Sequence, residues 1–216
     1  MKALQAQINP HFVFNTLDAL KWELEDKEQE DLAEFVVAMS ELFRYTITKQ
    51  TDGDWVTMKE ELQHIENYME IMKMRFGDHV NWIMTIPKEL EQVKIPKLLI
   101  QPLVENAVLH GAGNKVDPCT ISISVQSMED KEYLQILVED DGPGINEENL
   151  AVIRRTMQSG EVSSIKKGTG IAISNVHKRL ELYYQDRLQS GLTITSEEDS
   201  GTRVSFIIPV SGEEVR

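Results

Sequence analysis

The hydrophobic pattern of the chain changes near Val80, from the spacing of helices to the alternation of strands. Three amphipathic helices are predicted before that point, at residues 1–27, 29–48 and 57–77. Strands interspersed with helices are predicted after it. This order is typical of α+β proteins, in which helices cover one face of a largely antiparallel sheet. We therefore predict two compact regions in series, residues 1–77 and residues 78–216.

The second region contains the strand signals. Strands are predicted at residues 80–86, 119–126, 132–140, 192–198 and 202–210, because apolar residues alternate with polar ones there. Helices are predicted at residues 102–110, 147–156 and 170–184.

The third helix of the first region has a marked start. Thr57 and Glu60 have the spacing of a capping box, and Gly77 is a typical helix end. Its apolar stripe is rich in methionine, which is an ordinary core residue at helical spacing. His64 and His79 are expected at the surface.

Composition excludes several classes of function. The net charge of −14 argues against a nucleic-acid-binding surface, which needs clustered Lys and Arg. The single cysteine, Cys119, excludes an internal disulfide and fits a reducing compartment. No apolar run reaches the length of about 18 residues that a membrane span needs. We expect any sensor or membrane segment to lie upstream of Met1.

The stretch QINPHFVFNTL interrupts the first predicted helix with a proline, Pro10. An interior proline costs about 3 kcal/mol, so we expect a kink just before His11. His11 lies on the same helical stripe as Asn15, with a second apolar stripe on nearly the opposite side. A helix with two such faces is best covered by pairing two copies into a four-helix dimer. His11 is then either an interfacial histidine or, because neutral imidazole is nucleophilic, a phosphoryl acceptor.

Three motifs in the second region have the chemistry of a nucleotide site. PLVENAVLHG, residues 102–111, is predicted to place Glu105, Asn106 and His110 near one helix face. The amide oxygen of Asn106 is a ligand that suits Mg²⁺. Alone, this motif has little specificity.

VEDDGPGI, residues 138–145, ends a predicted strand with carboxylates and a Gly-Pro-Gly turn. Asp140 can accept a hydrogen bond from an adenine amino group, and Gly142 and Gly144 allow the base to approach closely. A plain surface turn is the alternative. A calcium loop is disfavoured, because the spaced acidic ligands of an EF-hand are absent.

KKGTGIAISNVHKRL, residues 166–180, places a Gly-x-Gly before a helix. Backbone N–H groups and a helix N-terminus of this kind bind phosphate. A dinucleotide-binding site is disfavoured, because no strand immediately precedes the glycines and the third glycine is missing.

Taken together, these motifs resemble those of a known family. INPHFVFNTL resembles the phosphoacceptor box of LytS-like bacterial sensor histidine kinases, and the three downstream motifs resemble the N box, the DxGxG box and the G2 box of the GHKL ATP-binding fold. The resemblance implies a helical dimerisation and phosphoacceptor bundle followed by a GHKL α/β sandwich that binds ATP and Mg²⁺.

By position, the resemblance implies roles for individual residues. His11 would be the phosphorylated histidine, Asn106 the Mg²⁺ ligand and Asp140 the residue that recognises adenine. Gly142 and Gly144 would form the turn beside the base, and Gly168 and Gly170 the phosphate-contacting hinge of a lid. The remaining candidate ATP contacts are His110, Lys166, Lys167 and Thr169. A mobile lid is predicted at residues 157–167.

Some positions depart from the family pattern. Leu109 stands where related kinases often have a lysine, so the phosphate-binding cation must come from elsewhere. Lys166 and Lys167 are candidates, and ordinary solvated lysines are the alternative. Phe12 follows His11 where an acidic residue is common, which leaves the general base unassigned. Glu105 is a candidate base if it faces the γ-phosphate, and a surface carboxylate is the alternative. Asn15 matches a position that in related kinases can orient a water for dephosphorylation.

The function implied is ATP-dependent autophosphorylation of His11, followed by transfer to an aspartate of a response regulator receiver domain. The kinase core would be cytoplasmic and belong to a membrane-anchored sensor, and a hinge is predicted at residues 51–55 or at Gly77. The alternatives are a GHKL ATPase, in which Glu105 would activate water, and a degenerate kinase that acts as a scaffold. Neither alternative requires the QINPHFVFN stretch.

Overall fold

The computed structural model describes residues 10–47, 55–112, 118–159, 169–187 and 190–210. The helices within these ranges are α1 (Pro10–Asp26), α2 (Glu30–Ile47), α3 (Met58–Phe76), α4 (Gln101–Ala107), α5 (Glu147–Ser159) and α6 (Thr169–Tyr184). The strands are β1 (Trp55–Thr57), β2 (Val80–Thr85), β3 (Lys94–Pro96), β4 (Cys119–Ser127), β5 (Tyr133–Asp140), β6 (Ser190–Ser196) and β7 (Thr202–Pro209).

Helices α1 and α2 form an antiparallel hairpin. The chain reverses between them at Glu28, whose φ of 55° is left-handed, and the Gln29 N–H donates to the Leu24 carbonyl at 2.9 Å. The side chains of α1 that face α2 are half-buried, while Ala33, Val36 and Ser40 of α2 are buried. The described part of α1 begins at Pro10, so the predicted kink lies outside the described residues and stays a prediction.

Among the residues that the structure describes, only one of the two predicted faces of α1 is covered. Phe14, Leu17 and Leu24 are half-buried against α2, but Trp22 of the other stripe is 69% exposed. Other large apolar side chains of the hairpin are also exposed. These are Phe12, Leu20, Leu32, Val37 and Phe43. The hairpin therefore has apolar surface that the other described residues do not bury.

The main sheet has the strand order β2-β4-β5-β7-β6. The β2–β4 pair is parallel and the other pairs are antiparallel. Alternate residues of β4, β5 and β7 are buried, because helices cover only one face of the sheet. The predicted fold, an α+β layer sandwich with a largely antiparallel sheet, is confirmed.

Helix α3 is anchored in the same hydrophobic core as the sheet. Met58, Leu62, Ile65 and Met69 are all buried in that core. The predicted capping box is present, since the Glu60 N–H donates to Thr57 Oγ1 at 3.1 Å and the Thr57 N–H donates to Glu60 Oε2 at 2.7 Å. The helix ends at Gly77, whose φ is 59°.

A short two-stranded ribbon precedes and follows α3. Strands β1 and β3 pair antiparallel, with Trp55 opposite Pro96. The Trp55 indole is buried and lies edge-on to Tyr183 and Tyr184 of α6, at centroid distances of 5.6 and 5.7 Å. Strand β1 and helix α3 are thus packed against the sheet region, whereas the boundary predicted between residues 77 and 78 stays a prediction.

The expectation for His64 was wrong. His64 is only 2% exposed and lies between the Tyr45 ring and Gln101, whereas His79 is exposed as predicted. The sequence pattern could not reveal this, because the partners of His64 come from α2 and α4 rather than from its own helix.

Candidate ATP-binding site

Asp140 is the last residue of β5, in the middle of the sheet. Its backbone lies opposite Ile121 of β4 and Thr202 of β7. The half-buried carboxylate begins a tight turn, since Asp140 Oδ1 accepts the Gly142 N–H at 3.0 Å. A carboxylate held in this way by flanking strands and its own turn is well placed to accept a hydrogen bond from a base.

The turn after Asp140 is held by the last residue of β6 and by the β6–β7 connection. The Ser196 hydroxyl accepts the Ile145 N–H at 2.8 Å and donates to the Gly201 carbonyl at 2.7 Å. The Asp199 N–H donates to the Pro143 carbonyl at 2.8 Å. Ser196 was not a predicted site residue, because nothing in its local sequence indicates that it supports a loop 51 residues earlier.

Glycine is required twice in this turn. A Cβ on Gly142 would lie 2.5 Å from the Gly111 Cα, and a Cβ on Gly144 would lie 1.9 Å from the Glu197 carbonyl oxygen. Gly144 also has a φ of 70°, which side chains rarely adopt. The two predicted glycines are therefore needed for close packing of the backbone around Asp140.

Gly111, the last residue of the motif PLVENAVLHG, lies close to Asp140. A Cβ there would lie 2.7 Å from Cys119 Sγ and 3.4 Å from the Asp140 Cβ. The carboxyl end of the Asn106 segment thus packs directly against the aspartate. Gly111 was part of the predicted motif but not a predicted site residue, because its partner is distant in the sequence.

Cys119 is a buried residue beneath this contact. Burial, together with the nearby Asp141 carboxylate, raises the pKa of the Cys119 thiol to about 12. Asp141 itself accepts the Thr120 N–H through Oδ1 at 2.8 Å. A thiol that stays protonated and buried has a packing role here, and we assign it no chemistry.

Helix α4 presents the Asn106 amide in a sheltered position. Pro102 lies in its first turn, as predicted, and Leu103, Val104 and Ala107 anchor it in the core. Asn106 is 8% exposed. A buried amide oxygen beside a nucleotide fits Mg²⁺, which usually binds through one or two protein oxygens, phosphates and water. Among the described residues, no group of three or more His, Cys, Asp or Glu side chains forms a separate metal cage.

His110 is carried on a different turn from Asn106. After Ala107 the helix widens into a π-helical turn, Val108–Ala112. The angle around the helix axis between Asn106 and His110 therefore differs from that in a regular α-helix. His110 is half-buried, and burial lowers its pKa below the usual value. Glu105, Asn106 and His110 were predicted near one face of a regular α-helix, and the π-helical turn means that His110 departs from that arrangement. Leu109 on the same turn is 54% exposed.

Glu105 lies on the side of α4 that faces α3. Gln101 Nε2 donates to Glu105 Oε1 at 2.7 Å. Burial, followed by the charge of Glu105, raises the pKa of the Tyr68 hydroxyl to about 12. Glu105 is thus a half-buried carboxylate with a fixed donor rather than a solvated surface residue.

Part of the predicted phosphate cradle lies outside the described residues. This applies to Lys166, Lys167 and Gly168. Thr169 and Gly170 begin α6, as the motif predicts, but their side-chain environment is not described. The first residues of the predicted lid, 157–159, continue helix α5 instead of forming loop. The predicted α5 was therefore too short by one turn.

His11 lies in the first turn of the described α1, with its side chain exposed. Asn15 Nδ2 lies 3.3 Å from His11 Nδ1, as expected for neighbours four residues apart. Which atom of this pair donates depends on the tautomer of the His11 ring.

Comparison with known proteins identifies the family. A profile of histidine kinase-, DNA gyrase B- and HSP90-like ATPases matches residues 92–212, which is more than half of the chain. The chain belongs to this ATPase family. A histidine kinase profile matches residues 1–80, the region that contains His11. The resemblance to LytS-like sensor histidine kinases is thereby confirmed.

Relatives of this ATPase-family chain are sensor proteins. It is 34% identical to the sensor histidine kinase YesM of Bacillus subtilis over 215 residues, covering all of this chain and 34% of YesM. It is 33% identical to the sensor protein LytS of B. subtilis over 219 residues, covering 99% of this chain and 35% of LytS. The chain spans about a third of the length of these relatives.

A solved structure has the same fold. The histidine kinase domain of the Erythrobacter litoralis EL346 blue-light activated histidine kinase aligns with a TM-score of 0.51 and 16% identity, covering 93% of this chain and 96% of that one. At this identity the likeness shows the fold alone. No helix among the described residues of this ATPase-family chain has the length and apolar character of a membrane span.

Proposed function

We propose that this chain is the kinase core of a sensor histidine kinase, which transfers the γ-phosphoryl group of ATP to His11. The proposal depends chiefly on one observation. A helical hairpin with an exposed histidine is joined, in one chain, to a sheet whose Asp140 packs against the end of the Asn106 helix. A GHKL ATPase needs the second of these parts but has no use for the first.

Different residues of the site would bind the base, Mg²⁺ and the phosphates of ATP. Asp140 accepts a hydrogen bond from the adenine amino group, while Gly142 and Gly144 let the backbone approach the base. Asn106 would hold Mg²⁺, which neutralises charge on the phosphates when it is bound. Lys166, Lys167, Gly168, Thr169 and Gly170 are proposed for the phosphates, and His110 for a contact beside Asn106.

In the transfer step, a nitrogen–phosphorus bond forms at His11 as the bond between the γ-phosphorus and the bridging oxygen of ADP breaks. The unprotonated ring nitrogen supplies the lone pair that attacks the γ-phosphorus, and a base accepts the proton from the other ring nitrogen as the phosphorylated ring forms. Glu105 is the carboxylate we propose for this step. Positioning and charge neutralisation supply most of the acceleration in phosphoryl transfer.

The hinge that lets the two regions meet is proposed upstream of Trp55. Trp55 is buried against α6, and Gly77 joins α3 to β2 within one hydrophobic core. A hinge at Gly77 would have to pull α3 away from that core. Movement between α2 and β1 would leave α3 in that core, although it would separate Tyr45 of α2 from Glu61 and His64 of α3.

The hairpin is proposed to dimerise. Its exposed apolar side chains, among them Phe12, Leu20 and Trp22, are those that a second hairpin would bury. Light scattering at micromolar concentration is expected to give twice the mass of one chain. Replacing Trp22 and Leu20 by serine is expected to lower the measured mass towards that of a single chain. A monomeric mass for the unaltered protein would contradict the proposal.

The partner proposed for the phosphorylated protein is the receiver domain of a response regulator, which accepts the phosphoryl group on an aspartate. The chain corresponds to only part of its relatives, and we propose that the complete protein is a membrane-anchored sensor with this core in the cytoplasm. Asn15 is proposed to orient water when the regulator is dephosphorylated.

The proposal is tested by incubating the protein with γ-labelled ATP and Mg²⁺. Acid-labile label is expected on the unaltered chain and is expected to be absent from His11→Ala. Label is expected to leave the protein when a cognate receiver domain is added, with equal label appearing on that domain. His79→Ala is the matched control, because His79 is also exposed but lies far along the chain, in the short turn Gly77–His79 that follows α3.

Other results would select another function. Label retained by His11→Ala would exclude His11 as the acceptor. Steady release of inorganic phosphate that persists in His11→Ala, without protein labelling, would favour an ATPase in which Glu105 activates water. Tight ATP binding with neither activity would favour a scaffold.

A further inference from the structure

A buried carboxylate of α3 holds the start of the ATP-site helix. Glu61 is fully buried and accepts N–H groups from Leu98 at 2.8 Å, Ile100 at 3.0 Å and Gln101 at 3.4 Å. Helix α4 has no side-chain cap of its own at Ile100. Glu61 therefore satisfies backbone donors that the sequence around α4 leaves without a cap.

A second residue of α3, one turn further on, contacts the side chains of α4. His64 Nε2 is hydrogen-bonded to Gln101 Oε1, and Gln101 Nε2 donates to Glu105 Oε1 at 2.7 Å. Because an amide oxygen can only accept, His64 Nε2 is the donor. This pairing sets the orientation of the Gln101 amide, so that its nitrogen faces Glu105.

Helix α2 closes over this cluster with one aromatic residue. The Tyr45 hydroxyl donates to Glu61 Oε2 at 2.5 Å, and its ring stacks on His64 with centroids 4.1 Å apart. The cluster thus joins the hairpin that bears His11 to the helix that bears Glu105 and Asn106. Polar groups buried this deeply cost free energy unless they are paired, and their pairing restricts them to few orientations.

We propose that His64 and Gln101 are positioning residues for Glu105, which they hold in one orientation on the face of α4 through a linear His64–Gln101–Glu105 hydrogen-bonded chain. The inference rests on the proposed function, in which Glu105 accepts the proton of His11. Neither His64 nor Gln101 touches ATP or the reacting atoms in this scheme. Their effect on the reaction passes through the Glu105 carboxylate.

The test is a double-mutant cycle that separates rate from binding. Gln101→Leu is expected to lower the maximal rate of autophosphorylation by about tenfold to a hundredfold, with the dissociation constant for ATP changed by less than about twofold. Adding Gln101→Leu to Glu105→Gln is expected to cause no further loss, because the residue that Gln101 orients is already gone. Gln63→Leu, the same change at an exposed position of α3, is the control.

Rescue at His64 makes the test specific. His64→Leu is expected to reproduce the loss of rate in Gln101→Leu, while His64→Gln, which keeps a donor near the position of Nε2, is expected to retain more of the rate. An additive loss in the double variant would show a general structural effect and would overturn the inference. An unchanged rate in Glu105→Gln would overturn it as well.

A measurement that does not depend on the reaction separates this inference from the proposed function. The ¹³C signal of the Glu105 carboxylate, assigned by its absence in Glu105→Gln, is expected to shift in Gln101→Leu and His64→Leu and to stay in place in Gln63→Leu. If the signal does not shift, the inference fails even where autophosphorylation is observed. If it shifts but His11 is never labelled, the positioning holds and the proposed function fails.

Discussion

Replacing Asp140 by asparagine is expected to weaken ATP binding by about tenfold to a hundredfold, the range of a lost charge-assisted hydrogen bond. The asparagine side chain still offers one oxygen, so the turn made by the Gly142 N–H can persist and the fold is expected to be retained. The second oxygen is lost, and with it the acceptor for the adenine amino group. Calorimetric titration with ATP in the presence of Mg²⁺ measures the effect.

Titration with inosine triphosphate tests whether Asp140 recognises the amino group itself, because the base of this nucleotide has a keto oxygen in place of the amino group. The unaltered protein is expected to prefer ATP, and Asp140→Asn is expected to lose much of that preference, since an amide nitrogen can donate to the keto oxygen. Glu139→Gln is the control: it changes the neighbouring carboxylate, which lies opposite Arg203 on β7 and pairs with it at 2.5 Å. Equal ATP affinities for Asp140→Asn and the unaltered protein would show that Asp140 does not bind the base.

Replacing Glu61 by alanine is expected to destabilise the sheet region by roughly 3–5 kcal/mol. The change removes the acceptor of buried N–H groups from Leu98 and Ile100 and leaves the Tyr45 hydroxyl without its partner. Each buried donor left unsatisfied costs about 1–3 kcal/mol. Urea unfolding followed by tryptophan fluorescence reports on this region, because Trp55 and Trp82 both lie within it.

Two further variants define what the Glu61 measurement means. Glu70→Ala makes the same change at an exposed position of α3, and its free energy of unfolding is expected to stay within about 0.5 kcal/mol of the unaltered protein. Glu61→Gln keeps one acceptor oxygen, and its free energy of unfolding is expected to lie between those of Glu61→Ala and Glu70→Ala. If Glu61→Ala were as stable as Glu70→Ala, the hydrogen bonds to α4 would contribute little to stability.

Local patterns were enough to predict most elements of the sheet region. The strand at Cys119–Ser127 alternates because one face of the sheet is covered and the other meets solvent, and this requirement shows directly in the residue order. The capping box of Thr57 and Glu60 is equally local. The ribbon of β1 and β3 was missed, because three-residue strands are too short to show a period.

The three motifs of the candidate site are also local, and the sequence by itself determined which residue types were available for adenine, Mg²⁺ and phosphate. It likewise determined that Asn15 would lie one turn from His11, because an α-helix places residues four apart together. These are properties of short stretches of chain, in which the backbone geometry is known once the element is known.

Only the tertiary structure decided which residues meet across elements. Gly111 touches Asp140 and Gly142, Ser196 holds Ile145, and His64 is buried against Gln101 instead of lying at the surface. Each contact joins residues at least 29 positions apart, and it depends on the register and angle at which two elements pack. A single sequence does not specify that geometry in any local pattern, because it results from the packing of the whole core.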